Sequence, residues 1–300
     1  KDCSIGKYSA SSPRGTDCTE CAIGRYNDQI AQTMACKPCG KGKYNDQTAK
    51  SSCTECGTGK FNEATAQSSC KECAKGTYND QTQQTGPGCK NCVAGKYGLG
   101  AGTKSASGCD RCEIGKYNDQ EGQSIVESCK SCTTGKYNDE QSAVSCKDCE
   151  LGKYNAEKGK TALSHCHDCA KGTYSDVTTG AAGCKICGSG KYNEEEGKTS
   201  LSHCKVCGTG KYSSTEGQTL ESDCKVCEQG KYNDDEGKTL VSDCKVCGQG
   251  RYNNQVGQTS ASCARCGTGK YSDEQGQTSD TTCQDCGTGK FNVLEGRTSE

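Results

Sequence analysis

One spacing governs this chain. Cys-x-x-Cys recurs every 17 to 20 residues from one end to the other. The first pairs are Cys18 and Cys21, Cys36 and Cys39, Cys53 and Cys56, Cys70 and Cys73, Cys89 and Cys92. Next come Cys109 and Cys112, Cys129 and Cys132, Cys146 and Cys149, Cys166 and Cys169, Cys184 and Cys187. The last are Cys204 and Cys207, Cys224 and Cys227, Cys244 and Cys247, Cys263 and Cys266, Cys283 and Cys286. Cys3 reads as the second member of a pair whose first member lies outside the chain. A fixed period of this kind marks a repeat architecture, in which each unit is one small supersecondary element. The chain begins and ends in mid-pattern, so residues 1–300 read as a tandem array of about sixteen 17–20-residue repeats, an internal window of a longer protein.

A second feature is locked to the first. After each pair comes x-x-Gly-[Lys/Arg/Thr]-[Tyr/Phe], and this one position uses every aromatic residue of the chain. They are Tyr8, Tyr26, Tyr44, Phe61, Tyr78, Tyr97, Tyr117, Tyr137, Tyr154, Tyr174, Tyr192, Tyr212, Tyr232, Tyr252, Tyr271 and Phe291. Hydrophobic residues reach only 30%, about a third of them cysteine. No single large core can be built from that supply. Each ring is therefore expected to be its unit's only sizeable core residue, packed on a disulfide and on the neighbouring unit. A ligand-stacking row of aromatics is the less favoured reading.

With 40 glycines and no 3.6-residue apolar period, helix is not expected. The local chemistry predicts small disulfide-rich repeats with little regular secondary structure. Each is a short irregular β-hairpin: an extended piece at Gly-Lys-Tyr, a turn at Asn-Asp-x-x-Gly, and a return into Cys. Length varies between the aromatic and the next Cys, which marks that segment as loop. Stacked units give an extended rod in which each unit touches mainly its neighbours.

Cysteine above 10% points to a disulfide scaffold in an oxidising compartment, hence an extracellular or cell-surface location. The favoured pairing joins the second Cys of one pair to the first of the next: Cys3 to Cys18, Cys21 to Cys36, and so on to Cys266 with Cys283. Cys286 is left over. Each closed loop is worth roughly 3 kcal/mol in the chain-entropy model. Zinc ribbons are the alternative, since Cys-x-x-Cys pairs at this separation lie at the edge of zinc spacing. Zinc consumes pairs two at a time, yet alternate linkers do not differ in kind. Redox catalysis would need a helix N-terminus beside the thiol.

The unit C-x-x-C-x-x-G-x-Y-x(n)-C resembles the ephrin-receptor-like cysteine-rich repeat, a relative of the first module of tumour-necrosis-factor-receptor cysteine-rich domains. The resemblance spans the chain. It implies extracellular placement, a rod of stacked modules and neighbour-to-neighbour disulfides. The second, ligand-contacting module type of the receptor relatives has no counterpart in this sequence.

Net charge is −1, with 37 basic and 38 acidic residues interspersed, which gives no footprint for nucleic acid. No apolar run approaches the ~20 residues of a membrane span. The cluster His165-Cys166-His167-Asp168-Cys169 looks like a metal site, but with bridged cysteines its two His become surface residues. Asn233-Asp234-Asp235-Glu236-Gly237 offers too few oxygens for a calcium loop. None of the 13 Asn lies in Asn-x-Ser/Thr, which leaves Ser and Thr as O-glycan acceptors. Neither catalytic residues nor a cofactor are expected. The expected function is the structural shaft of an extracellular filament, surface hair or coat, partnered by itself or by neighbouring filament components. The alternatives are the stalk of a receptor or adhesin ectodomain, and a zinc-ribbon-like array.

Overall fold

The computed structural model describes residues 2–10 and 17–300. It contains fifteen two-stranded antiparallel sheets, each strand two residues long. Among the described residues there is no α-helix, only eight three-residue 3-10 turns. None of the helical segments is long and apolar enough to cross a membrane.

Every hairpin uses the two repeat signatures as its two strands. The outgoing strand is the Lys-Tyr step after the glycine, and the return strand is the x-x of the next Cys-x-x-Cys. Lys7 pairs with Glu20 and Tyr8 with Thr19. Far along the chain, Lys231 pairs with Val246 and Tyr232 with Lys245 in the same register. Two-residue strands cannot persist alone in water, so what surrounds them must hold the register.

The chain divides into two compact units. One comprises Lys1–Thr133, Tyr137–Lys147 and Lys158–Leu163; the other comprises Thr134–Lys136, Asp148–Glu157 and Ser164–Glu300. Inside the first unit, the hairpin closed by Cys3–Cys18 meets the next through four hydrogen bonds. Gly6 N–H donates to Asn27 O (2.8 Å), Ser9 N–H to Gln32 O (2.9 Å) and Ala31 N–H to Cys3 O (2.9 Å). The fourth is a side-chain bond, from Asn27 Nδ2 to Lys7 O (2.6 Å). Inside the second unit the pattern repeats: Gly210 N–H to Asn233 O (2.7 Å), Ser213 N–H to Lys238 O (2.9 Å), Gly237 N–H to Cys207 O (2.8 Å), and Asn233 Nδ2 to Lys211 O (3.0 Å). At about 1 kcal/mol net apiece, such a seam adds to each hairpin on the order of what its disulfide adds.

The expectation that a unit touches mainly its neighbours needs an extension. Gly6 has φ +82°, and a Cβ there would overlap the Ala49 carbonyl oxygen two hairpins further on. Gly210 stands in the same relation to Gly257 in the second unit. Gly6 and Gly210 are thus each required twice, by a left-handed backbone and by the carbonyl lying against it.

Candidate functional site: the disulfide ladder and its polar seam

Fifteen disulfides join the second Cys of each pair to the first of the next. The series opens with Cys3–Cys18, Cys21–Cys36, Cys39–Cys53, Cys56–Cys70 and Cys73–Cys89. It continues through Cys92–Cys109, Cys112–Cys129, Cys132–Cys146, Cys149–Cys166 and Cys169–Cys184. It closes with Cys187–Cys204, Cys207–Cys224, Cys227–Cys244, Cys247–Cys263 and Cys266–Cys283. The bridge order expected from the spacing is therefore the order found. Cα–Cα separations, 5.5 Å for Cys112–Cys129 and 5.8 Å for Cys207–Cys224, sit in the middle of the range for disulfides. Cys286 is a half-buried free thiol. Because the other cysteine sulfurs are spent in these bridges, no thiolate pair remains for a zinc ribbon. Among the described residues, no group of three or more His, Cys, Asp or Glu is placed to hold a metal ion. In the former candidate cluster, His167 lies 6.2 Å from the Tyr154 ring, and Asp168 accepts a hydrogen bond from Lys153 at 2.8 Å.

The aromatic row is the core only in part. Tyr137, Tyr174 and Tyr192 are buried, Phe291 is 79% exposed, and the other twelve rings are half-buried. Tyr192 packs on Cys207 and Cys224, and Tyr174 on Cys187 and Cys204. Each of these rings therefore covers the disulfide of the following hairpin rather than its own. The outer face takes a lysine from the return strand. Lys37 sits 5.9 Å above Tyr26, Lys130 5.8 Å above Tyr117 and Lys205 5.9 Å above Tyr192. These are cation–π distances at exposed sites.

The largest fully buried side chains are asparagines, which local sequence by itself places only in turns. The residue after the aromatic is Asn in eleven units, Ser in four (Ser9, Ser175, Ser213 and Ser272) and Gly98 in one. Asn27 does form the expected turn, since its Oδ1 accepts the Gln29 N–H (3.1 Å). Its Nδ2 goes further and donates to Lys7 O across the seam. Asn45 to Arg25 O, Asn118 to Lys96 O and Asn253 to Lys231 O repeat the bond at 2.8, 3.0 and 3.0 Å. One amide thus closes its own turn and saturates a neighbour's strand carbonyl that would otherwise be buried without a donor. A signal existed in the sequence: a turn tolerates Asp, Asn, Ser and Gly alike, whereas this position admits Asp nowhere.

Around the hairpins runs a set of cross-strand ion pairs. Lys7–Glu20 (3.1 Å) and Lys60–Glu72 (3.3 Å) link the residue before the aromatic to the return strand. Lys37–Asp28 (2.9 Å) and Lys90–Asp80 (3.0 Å) link the return strand to the turn. Hydrogen bonds from these lysines hold the Glu20, Asp28 and Asp80 carboxyls below their ordinary range. Lys147, bonded first by Asp139 and then by Glu140, is raised. All are exposed, so each pair contributes little to stability. Their consequence is cancellation: the lysine row carries its own counter-ions and presents no net cationic strip.

Compared with protein-family models and with curated proteins, the chain matches none.

Proposed function

We propose that this chain is the structural shaft of an extracellular filament, surface hair or coat, built from cysteine-rich repeats of the ephrin-receptor-like kind. The observation that supports this reading is the sameness of the seam. The same backbone hydrogen bonds recur between hairpins in both units, and where the residue after the aromatic is Asn its buried amide adds another. Apart from the residue after the aromatic, which is Asn, Ser or Gly, the seam is made by backbone groups, so side-chain variation between repeats falls outside it. A binding protein concentrates its distinctive residues in one patch, whereas here the distinctive residues are spread. The array acts without catalysis and associates with copies of itself or with neighbouring filament components. Fifteen disulfides in 300 residues suit an oxidising exterior.

The test is removal of one whole repeat. Deleting Cys207 to Val226 joins Val206 to Cys227 and keeps the Cys-x-x-Cys spacing, so the Lys205–Val206 return strand still precedes an opening cysteine. The expected result is a folded chain, with Cys187–Cys204 and Cys227–Cys244 intact by non-reducing peptide mapping, that assembles as the parent does. If the deleted chain folds but loses binding to a defined soluble partner, one repeat carries recognition. The reading as a receptor or adhesin stalk then replaces the filament.

A further inference from the structure

The two ends of each disulfide differ in burial. The fifteen cysteines that open the hairpins, from Cys3 to Cys266, are all buried at 1% exposure or less. Leaving aside Cys18, half-buried in a hairpin whose loop lies partly outside the described residues, the cysteines that close them fall into two groups. In eight hairpins a 3-10 turn stands immediately before the closing cysteine, and all eight of those cysteines are buried. Five hairpins have fully described loops, no such turn, and a half-buried closing cysteine: Cys53, Cys70, Cys89, Cys146 and Cys184. Cys36 is the informative exception. Its hairpin also has no 3-10 turn, yet it is buried, and Arg25 Nη1 reaches across to donate to Cys36 O (2.9 Å).

One of the five has a further property. Cys70 lines a groove of about 480 Å³ together with Lys60, Ser69 and Lys104. Asp46 and Glu55 lie on the same groove, so it carries charges of both signs. Asn62 Nδ2 points at Cys70 Sγ from 3.9 Å, and Asn62 Oδ1 is buried with no hydrogen-bond partner. A donor there faces the sulfur that departs as a thiolate when the mixed disulfide is cleaved in the second step.

We propose that the five half-buried closing cysteines are sites of thiol–disulfide exchange with small external thiols. Cys70 reacts first, because its groove admits a peptide thiol bearing both carboxylate and ammonium groups, of the glutathione kind. Exchange needs a thiolate to reach one sulfur of the bridge. The incoming thiolate sulfur bonds to Cys70 Sγ. The Cys56–Cys70 bond breaks, and its electron pair goes to Cys56 Sγ, which takes a proton from solvent. A second thiolate attacks the mixed disulfide at the sulfur of the first thiol. Cys70 leaves as a thiolate and the two small thiols depart as their disulfide. Two electrons pass from the thiols to the bridge, so external thiol opens individual hairpins while their seam hydrogen bonds remain.

The test uses the intact chain and reduced glutathione at mildly alkaline pH, with acid quenching at intervals, alkylation and peptide mapping. The five bridges should open about ten-fold or more ahead of the eight turn-covered ones, and Cys70 should be the first cysteine found glutathionylated. Equal rates in the two groups overturn the proposal. A parallel run with 2-mercaptoethanol, which is uncharged, should erase the lead of Cys70 over Cys53. A lead that persists overturns the role of the groove. Arg25→Lys keeps the charge and shortens the reach. It should bring Cys21–Cys36 into the fast group, and an unchanged rate overturns the shielding argument.

Discussion

Hairpins Cys39–Cys53 and Cys56–Cys70 in one unit, and Cys207–Cys224 and Cys227–Cys244 in the other, make the same backbone pairing with different parts. The first two close over 14 residues, the second two over 17. The added length forms the 3-10 turns Glu221–Asp223 and Val241–Asp243. Asp243 fastens its turn by accepting the Thr239 and Leu240 N–H groups (3.1 and 2.9 Å), which lowers its carboxyl pKa. Five residues after the aromatic, both kinds of hairpin place a left-handed residue. In the short pair it is Ala49 or Ala66 (φ +59°), in the long pair Gly217 or Gly237 (φ +69° and +68°). In the return strand the short pair carries Glu55 and Glu72, ion-paired to Lys43 and Lys60. The long pair carries Val226 and Val246, and Val226 packs against the Gly257 backbone of a later hairpin. The difference teaches where this fold holds its constraints. Loop length, return-strand polarity and even the left-handed residue are free to change. The left-handed glycine before the aromatic, the aromatic ring and the cysteines are not.

The largest expected effect tests that separation directly. Gly210→Ala puts a Cβ onto the Gly257 carbonyl oxygen and also strains a left-handed backbone. Overpacking and strain together should cost about 3–5 kcal/mol. Gly269 has nearly the same φ but nothing within 4 Å, so Gly269→Ala should cost only the strain, about 1–2 kcal/mol. Denaturant melts of the two variants decide it; equal costs would mean that the contact two hairpins away contributes nothing.

Next in size are the seam amides. Asn233→Ala strips a donor from the buried Lys211 carbonyl oxygen and an acceptor from the Asp235 N–H. The expected loss is about 2–3 kcal/mol, the penalty for leaving buried groups unsatisfied. The Ser213 hydroxyl makes only local bonds, to Thr215 O and from Gln218, so Ser213→Ala should cost about 1 kcal/mol. Local hydrogen exchange should rise at the seam in the first variant and stay near parental in the second.

The left-handed position gives a pair of opposite sign. Ala49→Gly should stabilise the chain by about 1 kcal/mol, because the short hairpin now carries strain that Gly does not feel. Gly237→Ala should destabilise it by about 1–2 kcal/mol. Thermal melts in which both substitutions move the same way would contradict the equivalence of the two hairpin types.

The smallest expected effect converts one type into the other. Val226 faces Lys211 in the register in which Glu20 faces Lys7. Val226→Glu should leave the melting temperature near that of the parent at neutral pH. Its carboxyl, like that of Glu20, should titrate below the ordinary value. The paired form is then favoured above the unfolded-state pKa, and its contribution is lost as pH falls through the lowered folded value. Melts at pH 7 and pH 3 should show the variant losing more than the parent on acidification. Loss on raising the pH instead would mean that no ion pair forms.

Much was legible in the sequence because it is spacing that repetition displays. The Cys-x-x-Cys period carried the repeat, and its uniform linkers carried the bridge order from Cys3–Cys18 to Cys266–Cys283. The Gly-Lys-Tyr step announced an extended piece, and the variable segment before each cysteine announced a loop, where the 3-10 turns lie. What remained hidden depends on how one hairpin faces another, which spacing along the chain does not encode. Asn27 shows its turn bond locally, but its bond to Lys7 O exists only once two hairpins are stacked. Tyr192 is apolar and solitary in its unit, so it reads as that unit's core. Only stacking shows which disulfide it lies on, Cys207–Cys224 of the following hairpin, with Lys205 over its other face. Gly6 could be foreseen as a left-handed residue, but the Ala49 carbonyl oxygen pressed against it comes from 43 residues away. Composition and period decided that this chain must be stapled in short loops, since it has too little apolar surface to do otherwise. The tertiary structure decided which buried groups need a partner, because burial is set by neighbours and not by the residue itself.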